Sequence, residues 1–264
     1  MALYIVPVPI GNLLDITLRA IDTLKLVDVI AAEDTRYSLK LLNHLGIKKK
    51  LVSYYKPKEQ EKATQIITQL LAGRNVALIT DSGTPAISDP GFILIKQAID
   101  HHIEVISLPG PTAFVPALVC SGLQPHPFLF LGFPPRKTNE LTRFLQQLVS
   151  LPYTLIFYES PRRTATFLNR AASVLGNRKF VVVKELSKKN EKFIRGALGT
   201  VTEIMAGETL LGEMVILIDG QTETRDTTDP SNLKLNSLED LYTYFKETHH
   251  ISKNQLKKVL MNKV

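Results

Sequence analysis

LITDSGTPAISDPG, residues 78–91, is the stretch on which the reading of this chain turns. Val76, Ala77, Leu78, Ile79 and Thr80 form a short run of strand-forming residues that ends in Asp81. Small, turn-prone residues follow: Ser82, Gly83, Thr84, Pro85, Ser88, Asp89, Pro90 and Gly91. A buried parallel strand reads as such an apolar run, and open α/β sheets bind ligands just beyond the carboxyl ends of their strands. Glycine there lets the backbone approach a ligand, and proline fixes the course of the loop. By itself the segment equally suits an ordinary strand-to-helix connection. Its neighbours decide between the two.

Working outward, β-type runs recur at 3–6, 29–32, 51–54, 76–80 and 104–108. Helical patterns lie between them, as with Ala63, Ile66, Ile67, Leu70 and Leu71 at spacings of three and four. This alternation predicts a largely parallel sheet covered by helices. A second series of runs follows at 128–131, 155–158, 180–184, 193–198 and 214–218, with a helical stripe of Leu141, Phe144, Leu145 and Leu148. The turn-rich segment from Ser121, with Gly122 and nearby prolines, is the natural joint. The sequence therefore predicts an α/β protein of two α/β domains, 1–119 and 120–220. Beyond Gly220 a polar linker leads to capping signals at 237–240 and 252–255, and the second of these opens a short basic amphipathic helix. The tail 221–264 is expected to be a linker and a short helical extension.

Composition narrows the function classes. The single cysteine, Cys120, excludes an internal disulfide and any cysteine-rich metal site, and fits a reducing compartment. The apolar stretch 2–10 lacks a basic flank and contains Pro7 and Pro9, so no signal peptide is expected, and no membrane-spanning run is present. The expected location is cytoplasmic. The net charge of +7 favours anionic partners: nucleic acid, an anionic membrane, or a polycarboxylate. Basic clusters occur at 48–50, at Arg136, Lys137 and Arg143, at Arg162 and Arg163, and at Lys188, Lys189 and Lys192, with Tyr54, Tyr55, Phe133 and Phe193 close by. Such mixtures suit phosphate neutralisation with base stacking, and each cluster alone equally suits a solvated face.

The chemistry gathers at strand ends. The first strand runs into Pro7, Pro9, Gly11, Asn12 and Asp15, with a helix expected from near Thr17; this is neither a GxGxxG nor a Walker A loop, which argues against hydride transfer. The second ends in Glu33, Asp34, Thr35 and Arg36. Two acids beside an arginine either position a substrate and tune a base, or Asp34 or Thr35 simply caps the next helix. The fifth ends in Pro109, Gly110, Pro111, Thr112 and Ala113, another rigid loop. Together these loops predict one composite pocket. The six histidines show no metal-binding i,i+4 pair, so no metal site is expected, and the absence of a GxSxG elbow argues against a serine hydrolase.

The succession LYIVPVPIGNLLDIT, AAEDTR, LITDSGTPAISDPG, SLPGPTAF, FYESPRR, KELSKKNEKFIRG and GEMVILI spans Leu3 to Gly220. In that order it closely resembles the ribose 2′-O-methyltransferases of small-subunit ribosomal RNA, a branch of the tetrapyrrole methylase-like (class III) S-adenosylmethionine-dependent methyltransferases. The resemblance implies two α/β domains, a bent S-adenosylmethionine in the cleft between them, S-adenosylhomocysteine as product, and a homodimer. It implies a cytidine ribose in the decoding region as target, in ribosomal RNA within the small subunit, with no membrane partner. Carried over by motif, the cofactor lies against Pro9 and Gly11, against Ser82, Gly83, Thr84, Pro85, Ala86 and Ile87, and against Thr112 and Ala113. Tyr158, Met214 and Val215 supply the wall from the second domain. Two departures stand out: Arg162 occupies a position where the family commonly has histidine, and the C-terminal extension is short and lysine-rich.

The implied reaction is an in-line displacement, a ribose 2′-oxygen attacking the methyl carbon of a sulfonium. Alignment can supply about 7–11 kcal/mol of the barrier, and a general base about 10²–10⁴ in rate. Asp34 is the first candidate base, with Arg36 placing phosphate or orienting Asp34. Asn12 and Lys188 are candidate positioners, and Glu159 is held in reserve. Two other readings remain: a carbon methylase of tetrapyrrole or corrin precursors, and a noncatalytic RNA-binding factor with a vestigial pocket.

Overall fold

In the computed structural model, which describes residues 1–221 together with Ser252, strands and helices alternate from the first residues. The first half carries β1 (Ala2–Ile5), α1 (Leu18–Leu26), β2 (Val29–Ala32), α2 (Thr35–His44), β3 (Lys50–Ser53), α3 (Glu59–Leu71), β4 (Val76–Ile79), α4 (Phe92–Asp100) and β5 (Glu104–Ser107). The second half opens with α5 (Phe114–Ser121), β6 (Phe128–Phe130), α6 (Thr138–Gln146), β7 (Thr154–Glu159) and α7 (Pro161–Leu175). It closes with β8 (Lys179–Lys184), β9 (Lys192–Ala197), α8 (Val201–Ala206) and β10 (Met214–Ile218). The halves form one compact unit, Met1–Gln221. Apart from Ser252, which is exposed, the tail elements expected after Gln221 lie outside the described residues. No described helix is long and apolar enough to cross a membrane.

The first sheet is entirely parallel, in the order β3-β2-β4-β1-β5. Its inner strands are short and apolar because both faces are covered. Leu3, Ile5, Val29, Ala31, Val76 and Leu78 meet Ala63, Ile66 and Leu70 of α3 and Leu94 and Ala98 of α4. Their alternates, including Val6, Ile30, Ala32, Ala77 and Ile79, meet Ala20 and Leu24 of α1 and Leu42 of α2 on the opposite face. Each leucine, isoleucine or valine among them, fully buried, contributes about 1.5–3 kcal/mol. The helix expected from Thr17 begins there, because the Thr17 hydroxyl accepts the Ala20 N–H at 3.0 Å.

The second sheet is mixed, unlike the parallel first sheet. Its order is β6-β7-β10-β8-β9, and only β6 and β7 run parallel. β8 and β9 pair antiparallel, and β10 inserts between β7 and β8 antiparallel to both. The physical reason is the connection: a parallel pair needs a long crossover, and no helix separates Lys184 from Lys192. Met214, Ile216 and Ile218 face α6, α7 and α8. Val215 and Leu217 face Ala117 and Leu118 of α5.

The opening stretch, 78–91, is braced from behind. The buried Tyr54 hydroxyl donates to Glu59 Oε1 at 2.9 Å and accepts the Leu94 N–H at 3.2 Å. Glu59 Oε1 also accepts the Gly91 N–H at 2.9 Å. Gly91 has φ 156°, and a Cβ there would lie 2.7 Å from Ala86 Cβ and 3.1 Å from Ala86 N. Gly46, at φ +68°, has nothing within 4 Å of the equivalent position. Gly91→Ala is therefore expected to cost about 1 kcal/mol more than Gly46→Ala in urea unfolding. Equal costs would show that the loop relaxes around an added methyl.

Candidate functional site

β1 and β4 are neighbours, yet the helices that follow them cover opposite faces of the sheet, α1 one and α4 the other. A crevice opens at such a switch point, beyond the carboxyl ends of the two strands. Two loops fill it, one after β1 and one after β4. Their backbones pair through Val8 and Gly83: Val8 N–H donates to Gly83 O at 2.9 Å and Gly83 N–H to Val8 O at 3.1 Å. The loop after β5 joins them, as Thr84 Oγ1 donates to Pro111 O at 2.8 Å. From the second half, the loop after β8 reaches across. Ser187 Oγ donates to Asp15 Oδ2, and a Cβ on Gly11 would lie 2.4 Å from Lys188 Cγ.

These loops enclose a cavity of about 450 Å³, within the roughly 300–1,000 Å³ range of small-molecule sites. The first half lines it with Ile10, Glu33, residues 80–84 and 87–89, Thr112 and Ala113. The second half lines it with Phe133, residues 158–161, Glu185, Leu186, Lys188 and residues 212–215. Tyr158 forms the aromatic wall with Phe133, ring centroids 5.7 Å apart at 62°, and with Phe130 at 5.0 Å and 71°. Burial pushes its phenol up to about 12, so it is protonated at neutral pH.

Ser82, Gly83, Thr84, Ile87, Thr112, Ala113, Tyr158, Met214, Val215 and Lys188 thus come together around one space. Pro9, Gly11, Pro85 and Ala86 lie in the same loops without lining the cavity. Asn12, Asp34 and Arg36 also lie outside its lining. Asn12 Oδ1 accepts the Leu14 N–H at 3.1 Å, capping a short 3-10 turn. Asp34 caps α2: Oδ1 accepts the Arg36 N–H at 2.9 Å and Nε at 3.1 Å, and Oδ2 pairs with the guanidinium at 2.8 Å. That arginine, through its hydrogen bonds, holds the Asp34 carboxyl well below the usual carboxylate range. Asp34 touches the cavity indirectly, its backbone N–H donating to Asp81 Oδ1 at 3.1 Å. Arg162 is exposed near the start of α7.

The Tetrapyrrole (Corrin/Porphyrin) Methylases family matches residues 2–202. Among known proteins, the chain is 45% identical over 221 residues to a ribosomal RNA small subunit methyltransferase I of Halalkalibacterium halodurans, covering 84% of this chain and 76% of that one. It is 44% identical over 218 residues to the protein of the same name from Bacillus subtilis, covering 83% and 75%. Among solved structures, a uroporphyrin-III-C-methyltransferase from Thermus thermophilus superposes with a TM-score of 0.57 at 18% identity, covering 83% of this chain and 94% of that one. That likeness is one of fold.

Most of the cavity's acids carry no signal of a site in the sequence. Glu33, Asp81, Asp89, Glu159, Glu185 and Glu213 all line it, with Lys188 the one cationic side chain among the described lining residues. Such a space suits a cationic ligand. Burial pushes Asp81 above the ordinary carboxylate value, with the charges of Glu33 and Asp34 adding to the rise and the Asp34 N–H opposing it. Burial also raises Asp89, helped by the charges of Glu213 and Asp81. For an acid raised in this way, the ionised form is the costly one in the folded chain. The penalty is absent below the unfolded value of 3.8 and fully present above the raised folded value. Asp89→Asn is therefore expected to melt on the order of 1–3 °C higher than the parent at pH 7. The gap closes as pH falls toward 3.8 in thermal scans. A lower melting point at pH 7 would show that Asp89 stabilises the empty cavity.

Proposed function

The chain belongs to the tetrapyrrole (corrin/porphyrin) methylase family, and on that premise we propose that it methylates small-subunit ribosomal RNA with S-adenosylmethionine. The product of the donor is S-adenosylhomocysteine, and the acceptor is the ribose 2′-oxygen of a cytidine in the decoding region. The observation that carries the reading is the cavity itself. Segments scattered along the chain, 78–91, 107–114, 157–163, 184–196 and 212–218, converge on one acid-lined space. The relatives named as small-subunit ribosomal RNA methyltransferases support the substrate class. The 2′-oxygen and the cytidine rest on the resemblance of the whole motif succession from Leu3 to Gly220, within which the AEDTR and FYES segments favour RNA over a tetrapyrrole.

The residues present fit the donor. Ile10, Ile87, Leu186, Phe133 and Tyr158 offer apolar and aromatic surface for an adenine, and the carboxylates would balance the positive charges of a sulfonium and an ammonium. Bound there, S-adenosylmethionine supplies a methyl group on positively charged sulfur, a leaving group activated without a metal. The work of the chain is then alignment and exclusion of water. Asp34 and Arg36 act as a pair: the carboxylate fixes the guanidinium, which is 89% exposed, for a substrate phosphate. Lys188, its Nζ 3.0 Å from Glu185 Oε1, and Asn12 position the substrate at the clasp between the two halves. A general base at Asp34 has little proton affinity under this pairing. The proposal extends to a cytoplasmic homodimer acting on the small ribosomal subunit.

The test is transfer of labelled methyl from S-adenosylmethionine to small subunits from cells lacking the protein, with naked RNA in parallel, followed by alkaline digestion. A methylated 2′-oxygen cannot attack its own phosphate, so labelled dinucleotides that survive alkali are expected. Label found only in mononucleotides would mean base methylation, and no label in either RNA would favour a tetrapyrrole substrate. In the same assay under single turnover, Asp34→Asn is expected to lose less than about tenfold. A loss of about 10²–10⁴ would identify Asp34 as the base.

A further inference from the structure

A second recess, of about 330 Å³, lies between α6 and α7 on the second half. We propose that it binds the phosphodiester backbone of the RNA substrate; this rests on the RNA reading above. Its floor is the core itself, Leu141 and Phe167, both buried. Its rim carries Arg136 just before α6, and Arg163 and Arg170 on α7. The hydroxyls of Thr138, Thr166 and Ser173 complete it. On α7 the residues 163, 166, 170 and 173 follow the helical period and form one stripe.

Three features single out an anion of the phosphodiester kind. No carboxylate lines the recess among the described residues. Arg163 is fixed, its Nη2 donating to Pro135 O at 2.9 Å and pairing with Glu159 at 3.2 Å. Arg136 and Arg170 have no hydrogen-bond or carboxylate partner among the described residues, and the nearby Glu140 is taken by Lys137 at 3.1 Å. Unpaired guanidinium groups around one recess repel one another until an anion joins them, and their planar forks match phosphate oxygens. Placement favours a polymer over a free ion. Ser160 and Pro161, at the start of α7, line the cofactor cavity. Arg170 lies roughly 13 Å further along the same helix. A strand with one ribose at the cavity can therefore lay its neighbouring phosphates along α7.

The test compares the parent with the double variant Arg136→Gln/Arg170→Gln in methyl transfer to small subunits at several salt concentrations. We expect KM for the subunits to rise at least fivefold, with kcat and S-adenosylhomocysteine affinity unchanged. The slope of log affinity against log salt is expected to fall by about 1–2, as befits lost phosphate contacts. The charge-preserving pair Arg136→Lys/Arg170→Lys is expected to keep the slope, which separates charge from packing. An unchanged KM in an active enzyme overturns the site alone, as does a raised KM with an unchanged slope, which would signal a protein contact. Binding of inorganic phosphate by the parent that is lost in the double variant, while KM for the subunits stays the same in both, would mark a free-anion site and also overturns it. A parent enzyme that methylates no RNA overturns the functional reading and this site with it.

Discussion

Two hydrogen bonds, one in each direction between Val8 and Gly83, hold the site together. They tie the loops after β1 and β4 at the point where the sheet's connections diverge, and the loop after β5 is fastened on through Thr84 and Pro111. Without that tie the loops would be ordinary surface connections. With it they form a rigid floor on which the loop after β8 closes through Asp15 and Ser187 and through Gly11 against Lys188. The loops around the cavity also store strain. Ala86 (φ 66°), Glu185 (φ 53°) and Ser187 (φ 66°) are non-glycine residues in the left-handed region, all in loops around the cavity. Each costs of order 1–3 kcal/mol, which only a surrounding scaffold can sustain.

The first sheet is legible because both its faces are buried, so its inner strands are unbroken apolar runs between helical patterns, and the five runs at 3–6, 29–32, 51–54, 76–80 and 104–108 each overlap a strand to within one residue at either end. The second sheet is legible as strands, and its strand directions are not. Apolar content reports burial and says nothing of polarity; that information sits in the connections. The stretch between Lys184 and Lys192 is too short for a crossover helix, which was the available signal of an antiparallel pair.

The site divides along a similar line. Glycine and proline punctuate ligand loops, so Ser82, Gly83, Thr84, Thr112 and Ala113 could be found from sequence. Asp89, Glu185 and Glu213 could not, because a lone acid in a loop looks the same whether it faces solvent or a cavity. Only the fold brings together acids that are more than a hundred residues apart. Asp34 shows the reverse case. In sequence its strand-end position admits either a base or a helix cap, and the geometry shows both its oxygens engaged, by a helix N-terminus and by Arg36.

Charge is sorted within the unit, and α7 is where the sorting occurs. A chain of net charge +7 gathers six carboxylates around one cavity and leaves arginines around a neighbouring recess. Such separation needs a joint, since a buried carboxylate beside an apolar wall is costly unless paired. Glu159 supplies one side: its side chain is 1% exposed, Oε1 accepts the Ser160 N–H at 2.7 Å, and Oε2 has no hydrogen bond and meets only the guanidinium of Arg163 at 3.2 Å. Arg163 supplies the other, belonging by position to the basic recess. Removing one partner of such a pair leaves an uncompensated buried charge, a loss of about 3–5 kcal/mol in comparable cases. The spacing of four residues places Glu159 at the end of β7 and Arg163 in the first turn of α7, so a single helical turn separates the acid-lined cavity from the basic recess.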